Sequence, residues 1–306
     1  MHRLGAKTFN GSSERVLMRK SILAAAVAAA FVSPVAVTTA TAQAAKPASP
    51  HTFTGNVSVV SDYRFRGISQ SYKLPALQGG FDYSHASGFY VGNWNSSVSG
   101  NSYNNGAALE MDFYGGWKTE FSNGIGLDVG GLYYYYPGSY YQTSANTGKK
   151  KYNNFEVYLG LSYKWLSAKY SYATTDYFGL TGAALGNAVY AAVNSNNANT
   201  GATTGTATSG SKGSSYFELN ANYEVAPKVN LVGHVGYLSV KNYSALNYTG
   251  YKLGITYDAG FATLGAAIVG TNAKKDFYRV FENNGAATTG KQVSGDTLVL
   301  SISKTF

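Results

Sequence analysis

The chain contains no cysteine, which removes disulfide scaffolds, thiolate metal sites and thiol nucleophiles together. It is also poor in charge, with only 13% of its 306 residues Asp, Glu, Lys or Arg. Few charges suit a membrane protein, yet a mean hydropathy of −0.16 leaves no room for a bundle of apolar helices. Beyond Val37 no uninterrupted apolar run is long enough to cross a bilayer as a helix. Intrinsic disorder fits no better, because 44% of residues are hydrophobic and 15% aromatic, and chains that cannot collapse are poor in both. What the chain does have is glycine (36) and tyrosine (27), with Asn, Ser and Thr, and aliphatic residues spread thinly. That is the composition of a β-barrel with lipid on one side of its wall and water on the other.

Met18-Arg19-Lys20 opens an uncharged stretch from Ser21 to Val37, followed by small residues that end in Ala42-Gln43-Ala44. A basic start, an apolar middle and an Ala-x-Ala exit are the three parts of a secretory signal peptide. The expected organisation is a start-site extension over 1–17, a signal peptide over 18–44 cleaved after Ala44, and one barrel domain over 45–306. A retained membrane anchor is the alternative, weakened by Pro34 and by Thr38, Thr39 and Thr41. Cleavage would remove five bases and one acid and bring the formal charge from +9 to +5. Basicity that modest, without a recognisable module, gives no support to nucleic-acid binding.

Downstream, apolar and polar residues alternate over stretches of about ten, the length of a tilted strand that crosses a membrane. Leu109, Met111, Phe113, Gly115 and Trp117 interleave with Glu110, Asp112, Tyr114, Gly116 and Lys118, and the runs from Phe155 to Trp165 and from Phe217 to Val225 repeat the pattern. A period of two means strands. Twelve are predicted, within a range of ten to fourteen, near 56–66, 76–84, 89–98, 107–118, 125–136, 154–165, 166–174, 215–225, 229–238, 249–258, 260–269 and 296–306. The links alternate in length: Ser84–Gly88, Thr119–Gly124, Trp165–Leu166, Ala226–Lys228 and Asp258–Gly260 are tight, whereas Pro137–Asn153, Thr175–Ser214 and Thr271–Gly295 are long. An all-β, up-and-down antiparallel transmembrane barrel sorts its links this way, with short periplasmic turns and longer external loops. A Greek-key sandwich has no reason to.

Trp117 and Phe121 flank one turn, Trp165 occupies another, and Tyr133 to Tyr136 end a strand, where interfacial girdles belong. Strand propensity alone would also favour aromatics there. The last strand alternates through Leu298, Leu300 and Ile302 to Phe306. It resembles the C-terminal signal read by the outer-membrane assembly machinery of Gram-negative bacteria, and it should close on the first strand so that no edge is left in lipid. The link 175–214 is rich in Gly, Ala, Thr, Asn and Ser, which cannot bury a core. It is expected as an external loop or, through the helix-like run Ala183–Val193, as a constriction folded into the lumen.

Three segments, Ser61-Asp62-Tyr63-Arg64-Phe65-Arg66-Gly67-Ile68-Ser69-Gln70, Pro75-Ala76-Leu77-Gln78-Gly79-Gly80-Phe81-Asp82-Tyr83 and Gly88-Phe89-Tyr90-Val91-Gly92-Asn93-Trp94, resemble the TorF-type porin family of proteobacteria. The resemblance covers about the first three strands and implies an outer-membrane barrel with a channel role, without naming a substrate. Read physically, Val57, Val59, Tyr63 and Phe65 face lipid, which turns Asp62, Arg64 and Arg66 into the lumen beside Gln78, Asp82, Glu110 and Asp112. These seven are the expected pore lining, since rings of charge set the sign preference of a pore. The opposing expectation is a salt-bridge network that packs the lumen shut, because twelve strands enclose less space than larger porins do.

On the long links Lys73, Lys149, Lys150, Lys151, Lys212, Lys241, Lys274, Lys275, Arg279 and Lys291 oppose only Asp176, Asp276 and Glu282. A basic rim centred on Lys149, Lys150, Lys151, Lys274, Lys275 and Arg279 would steer anions or bind lipopolysaccharide phosphates, in either case less strongly at high salt. Catalytic groups are scarce, since only His51, His85 and His234 follow the signal. His234 reads as a hydrogen-bonded lumen residue, and no cofactor, metal site or phosphate-cradling loop is expected. The sequence therefore reads as a monomeric outer-membrane porin that passes small hydrophilic solutes with a slight lean to anions. A closed structural or adhesive barrel is the alternative, and an enzyme comes third. Expected partners are outer-membrane lipid, lipopolysaccharide, the assembly machinery and small solutes.

Overall fold

The computed structural model describes residues 49–100, 107–142, 149–181, 210–275, 277–281 and 290–306. The extension and signal-peptide segments, the run Ala183–Val193, Asp276 and Glu282 lie outside the described residues. Twelve antiparallel strands close into one barrel: β1 (His51–Val60), β2 (Ala76–His85), β3 (Phe89–Ser97), β4 (Leu109–Glu120), β5 (Ile125–Tyr135), β6 (Asn154–Tyr163), β7 (Leu166–Ala173), β8 (Ser215–Ala226), β9 (Val229–Ser239), β10 (Tyr248–Asp258), β11 (Thr263–Thr271) and β12 (Thr297–Thr305). Each pairs with its neighbours in chain order. The terminal strand completes the wall, with Asn56 opposite Thr305 and Val60 opposite Ser301. Links 86–88, 121–124, 164–165, 227–228 and 259–262 sit at one end. The links at the other end are longer, and three of them form small hairpins: Arg64–Phe65 with Ile68–Ser69, Tyr140–Gln142 with Lys149–Lys151, and Arg279–Phe281 with Gly290–Gln292.

The alternation in the sequence becomes two faces of one wall. On β6, Phe155, Val157, Leu159 and Leu161 are exposed outward, while Asn154, Glu156, Tyr158 and Gly160 are buried inward. The outward belt continues through Val57, Phe81, Val91, Leu219, Leu253, Ile268 and Leu300. A band so continuously apolar is foreign to a water-facing surface and has the composition of a lipid-facing wall. Inside, tyrosines lie across the glycines of adjacent strands. Tyr114 covers Gly92 and Tyr158 covers Gly130 so closely that a Cβ at either glycine would overlap the phenol.

Sequence and structure part at the first strand. Expected over 56–66, it ends at Val60, and the chain then leaves the wall and folds across the lumen. Tyr63 (0% exposed) and Phe65 (8%), expected on lipid, are packed inside. Tyr63 meets Trp94 edge-on at 5.5 Å, and Phe65 meets Tyr134 at 5.5 Å and Phe178 at 5.6 Å. The hairpin turns at Arg66-Gly67, both at positive φ (49° and 87°), as a two-residue I′ turn requires. Asp62 to Arg66 still alternate because this buried hairpin also has an apolar and a charged side, and a period of two does not say what either side touches.

Candidate functional site in the barrel lumen

The hairpin brings its charges into a packed layer. Arg64 and Asp62 pair at 2.6 Å with side chains 0% and 2% exposed. Arg64 also donates to the carbonyls of Gly67, Val293 and Gly295 and to the Thr297 hydroxyl, and Asp62 accepts from Ser69 and Ser71. Arg66 forks onto Glu156 of β6 at 3.1 and 2.7 Å, donates to the Tyr177 hydroxyl at 3.0 Å, and lies over the rings of Phe65 and Tyr216. Burial works against its charge, and the paired Glu156 carboxylate works for it. Buried charges persist only when paired and hydrogen-bonded, and both arginines meet that condition.

Gln78, Glu110 and Asp112 reach the same layer from β2 and β4 and are 3%, 0% and 1% exposed. Gln78 donates to Ser96, and Glu110 faces the hydroxyls of Tyr136 and Tyr63. Six of the seven side chains expected to line a pore are thus brought together, but as a buried, paired plug. Asp82 stands apart, accepting from Tyr114 at 2.6 Å closer to the short links.

Toward that end the inward side chains are only half-buried: Asp82, Lys118, Asp128, Lys169, Glu218, Asn220 and Lys252. Tyr90 donates to Asp128 at 2.6 Å and also bonds the Tyr158 hydroxyl, while Lys169 pairs with Glu218 at 2.9 Å. His234 points inward with Nδ1 at 2.7 Å from Asn220 and Nε2 at 2.9 Å from Tyr216. Reading the sequence did not single out this polar layer beyond Asp82 and His234. Its signal was there, since Lys118, Asp128, Lys169 and Glu218 all fall on the polar phase of their strands.

A family model described as a bacterial protein of unknown function (Gcw_chp) matches residues 44–306. The chain belongs to the Gcw_chp family. No curated protein matches it. Among solved structures it is similar to the KdgM porin (8% identity, TM-score 0.43, covering 83% of this chain and 99% of that one). It is also similar to the NanC porin (10%, 0.42, 82% and 98%) and to OmpT of Vibrio cholerae (9%, 0.37, 84% and 97%).

At the long-link end of this Gcw_chp barrel, Lys150 Nζ lies 2.9 Å from Asp176, which also accepts from the backbone N–H groups of Ser211 and Lys212. Burial opposes ionisation of Asp176, but Lys150 and those two N–H groups hold its carboxyl below the usual range. Lys151, Lys274 and Lys275 are exposed and Arg279 is half-buried, while the Lys149 side chain lies outside the description. At the other end Phe306 pairs its backbone with Gly55 and lays its ring where a Cβ on Gly55 would be, 2.6 Å away. The closing seam is therefore sealed by the last residue.

Proposed function

We propose that the protein is an outer-membrane channel of a Gram-negative bacterium for small hydrophilic solutes, and that residues 61–72 hold it closed at rest. The short links then face the periplasm and the long links the outside. The division of the lumen carries this reading: a half-buried polar layer lies toward the short links, and the hairpin 61–72, with Tyr177 and Phe178 packed against it, stands between that layer and the long links. The likeness of residues 61–94 to TorF-type porins points the same way. The slight lean to anions falls to the lysines of the outer rim in this reading, because both plug arginines are neutralised by carboxylates.

A closed structural or adhesive barrel has one observation in its favour, the number of partners that fix Arg64 between the hairpin and residues 293–297. Single-channel current in a planar bilayer under a salt gradient separates the two. The full protein is expected to show rare steps, and a variant with 62–72 replaced by a short Gly-Ser link frequent ones. A folded, heat-modifiable variant without current above the lipid background would overturn the channel and leave the closed barrel.

A further inference from the structure

Charge at the long-link end is not spread evenly around the barrel. The links between β5 and β10 (136–153, 174–214 and 240–247) contain Lys149, Lys150, Lys151, Lys212 and Lys241 against one acid, Asp176. Across the barrel, and leaving the plug pairs aside, Lys73, Lys274, Lys275, Arg279 and Lys291 meet three acids, Asp276, Glu282 and Asp296. Residues 143–148 and 182–209 add no charged side chain, so Asp176 is all the acid that the long links of the β5–β10 arc have. It is already held by Lys150 and by two backbone N–H groups. Lys151, Lys212 and Lys241 stay exposed. The three links are knit side by side: Asn242 donates to the Gly210 carbonyl, Lys241 N–H donates to Ser214 Oγ, and Gly179 packs on the Lys151 backbone.

The wall beneath shows a second asymmetry on the same arc. Outward residues close to the long links are Tyr133 and Tyr135 on β5, Phe155 on β6, Tyr170 and Tyr172 on β7, and Phe217 and Tyr237 on β8 and β9, just below Ser215 and Ser239. The outward residues nearest the long links on β12, β1, β2 and β4 are Leu298, Val59, Leu77 and Leu109, and the aromatic stretch begins at Phe113 of β4, opposite Tyr133. Aromatic rings settle where acyl chains meet headgroups, and lysines bind phosphate as point charges. Either feature alone would be ordinary, but here Lys151, Lys212 and Lys241 stand at the end of the aromatic stretch on links that carry one acid, whereas the exposed Lys274 and Lys275 share their link with Asp276, Glu282 and Asp296.

We propose that the β5–β10 arc binds lipid A, the bisphosphorylated glycolipid of the outer leaflet, a proposal that rests on the outer-membrane reading above. Its phosphates meet Lys151, Lys212 and Lys241, and its acyl chains lie on the aromatic wall. Phosphatidylglycerol offers one phosphate where lipid A offers two to a cluster with little acid of its own.

The test uses the full protein extracted in mild detergent from fractionated outer membranes and titrated with bisphosphoryl lipid A, monophosphoryl lipid A or phosphatidylglycerol, with bound lipid counted by native mass spectrometry. The wild type should prefer the bisphosphoryl form. K151Q/K212Q/K241Q should weaken that binding at least about tenfold, while K274Q/K275Q/K291Q should stay within about twofold, both variants remaining heat-modifiable. Equal losses in the two variants, or equal binding of phosphatidylglycerol, overturns the proposal, as does a face that holds no lipid and buries itself against a second copy. Absence of the protein from the outer-membrane fraction would instead sink the localisation itself.

Discussion

Along the inward face of β4, Glu110 and Asp112 are 0% and 1% exposed, yet Lys118 further down the same face is half-buried. On β6 the same face runs from buried Glu156 to exposed Ser162. Both layers are built from the same strands with the same period, and both carry acids, bases and hydroxyls. What differs is the hairpin 61–72, which with Tyr177 and Phe178 of the β7–β8 link fills one layer and does not reach the other. The strands decide which side chains point inward, and a link decides whether water follows them.

The sharpest way to break that comparison sets one ion pair against another. Arg66→Ala leaves the Glu156 charge in the dry layer with no cation against it, held only by Asn154 and the Tyr134 hydroxyl, and is expected to cost about 3–5 kcal/mol. Lys169→Ala removes a pair of similar length, Lys169 to Glu218 at 2.9 Å with side chains 23% and 14% exposed. Water can solvate the remaining carboxylate there, so the expected cost is about 1 kcal/mol or less. Denaturant unfolding in detergent measures both, and equal costs would mean that the two layers do not differ in water. Replacing both plug partners with apolar residues, Arg66→Met with Glu156→Leu, should recover most of the loss.

Next in size is the turn of the hairpin. Gly67 sits at φ 87°, and a Cβ there would overlap the Thr271 methyl and approach the Gly270 carbonyl at 3.1 Å. Gly260, in a short link, has a similar φ of 83° but nothing within 4 Å. Gly67→Ala is expected to cost about 1–3 kcal/mol and to raise the frequency of channel steps. Gly260→Ala should cost about 1 kcal/mol and leave the current unchanged. Current that responds alike to both would separate the hairpin from the closure.

The wall was legible from sequence because a lipid-facing strand must alternate and its link lengths must sort by side; Leu109 to Lys118 and Phe155 to Tyr163 show both. The plug was not. Asp62-Tyr63-Arg64-Phe65-Arg66 carries the same period as a wall strand, and only Gly67 hinted that the chain turned early. Tyr63 and Phe65 are as apolar as lipid-facing residues, but they meet Trp94, Tyr134 and Phe178, which stand more than twenty residues away in sequence. Such distant contacts leave no periodic trace. The charges of the candidate site were readable as inward, whereas their pairing with Glu156 and with residues 293–297 depends on the barrel having closed.

The smallest expected effect lies at the outer rim. Lys150 and Asp176 pair at 2.9 Å with side chains 43% and 21% exposed, so salt screens them. The folded Asp176 carboxyl is held below its ordinary value of about 3.9. Its contribution is therefore present above that pH and is lost as the pH falls through the lower folded value. The Ser211 and Lys212 amides, which donate to it, report the loss directly. Their hydrogen-exchange protection, corrected for intrinsic rate, should hold at pH 6 and fall below about pH 4, and in Asp176→Asn it should lose this acid dependence. Raising salt should loosen the Lys150 contact and leave Arg66 on Glu156 untouched, because that pair is 7% and 3% exposed and screening acts least on buried pairs. A plug that loosened with salt as readily as the rim would be a wet one, and the contrast between the two layers of the lumen would not survive it.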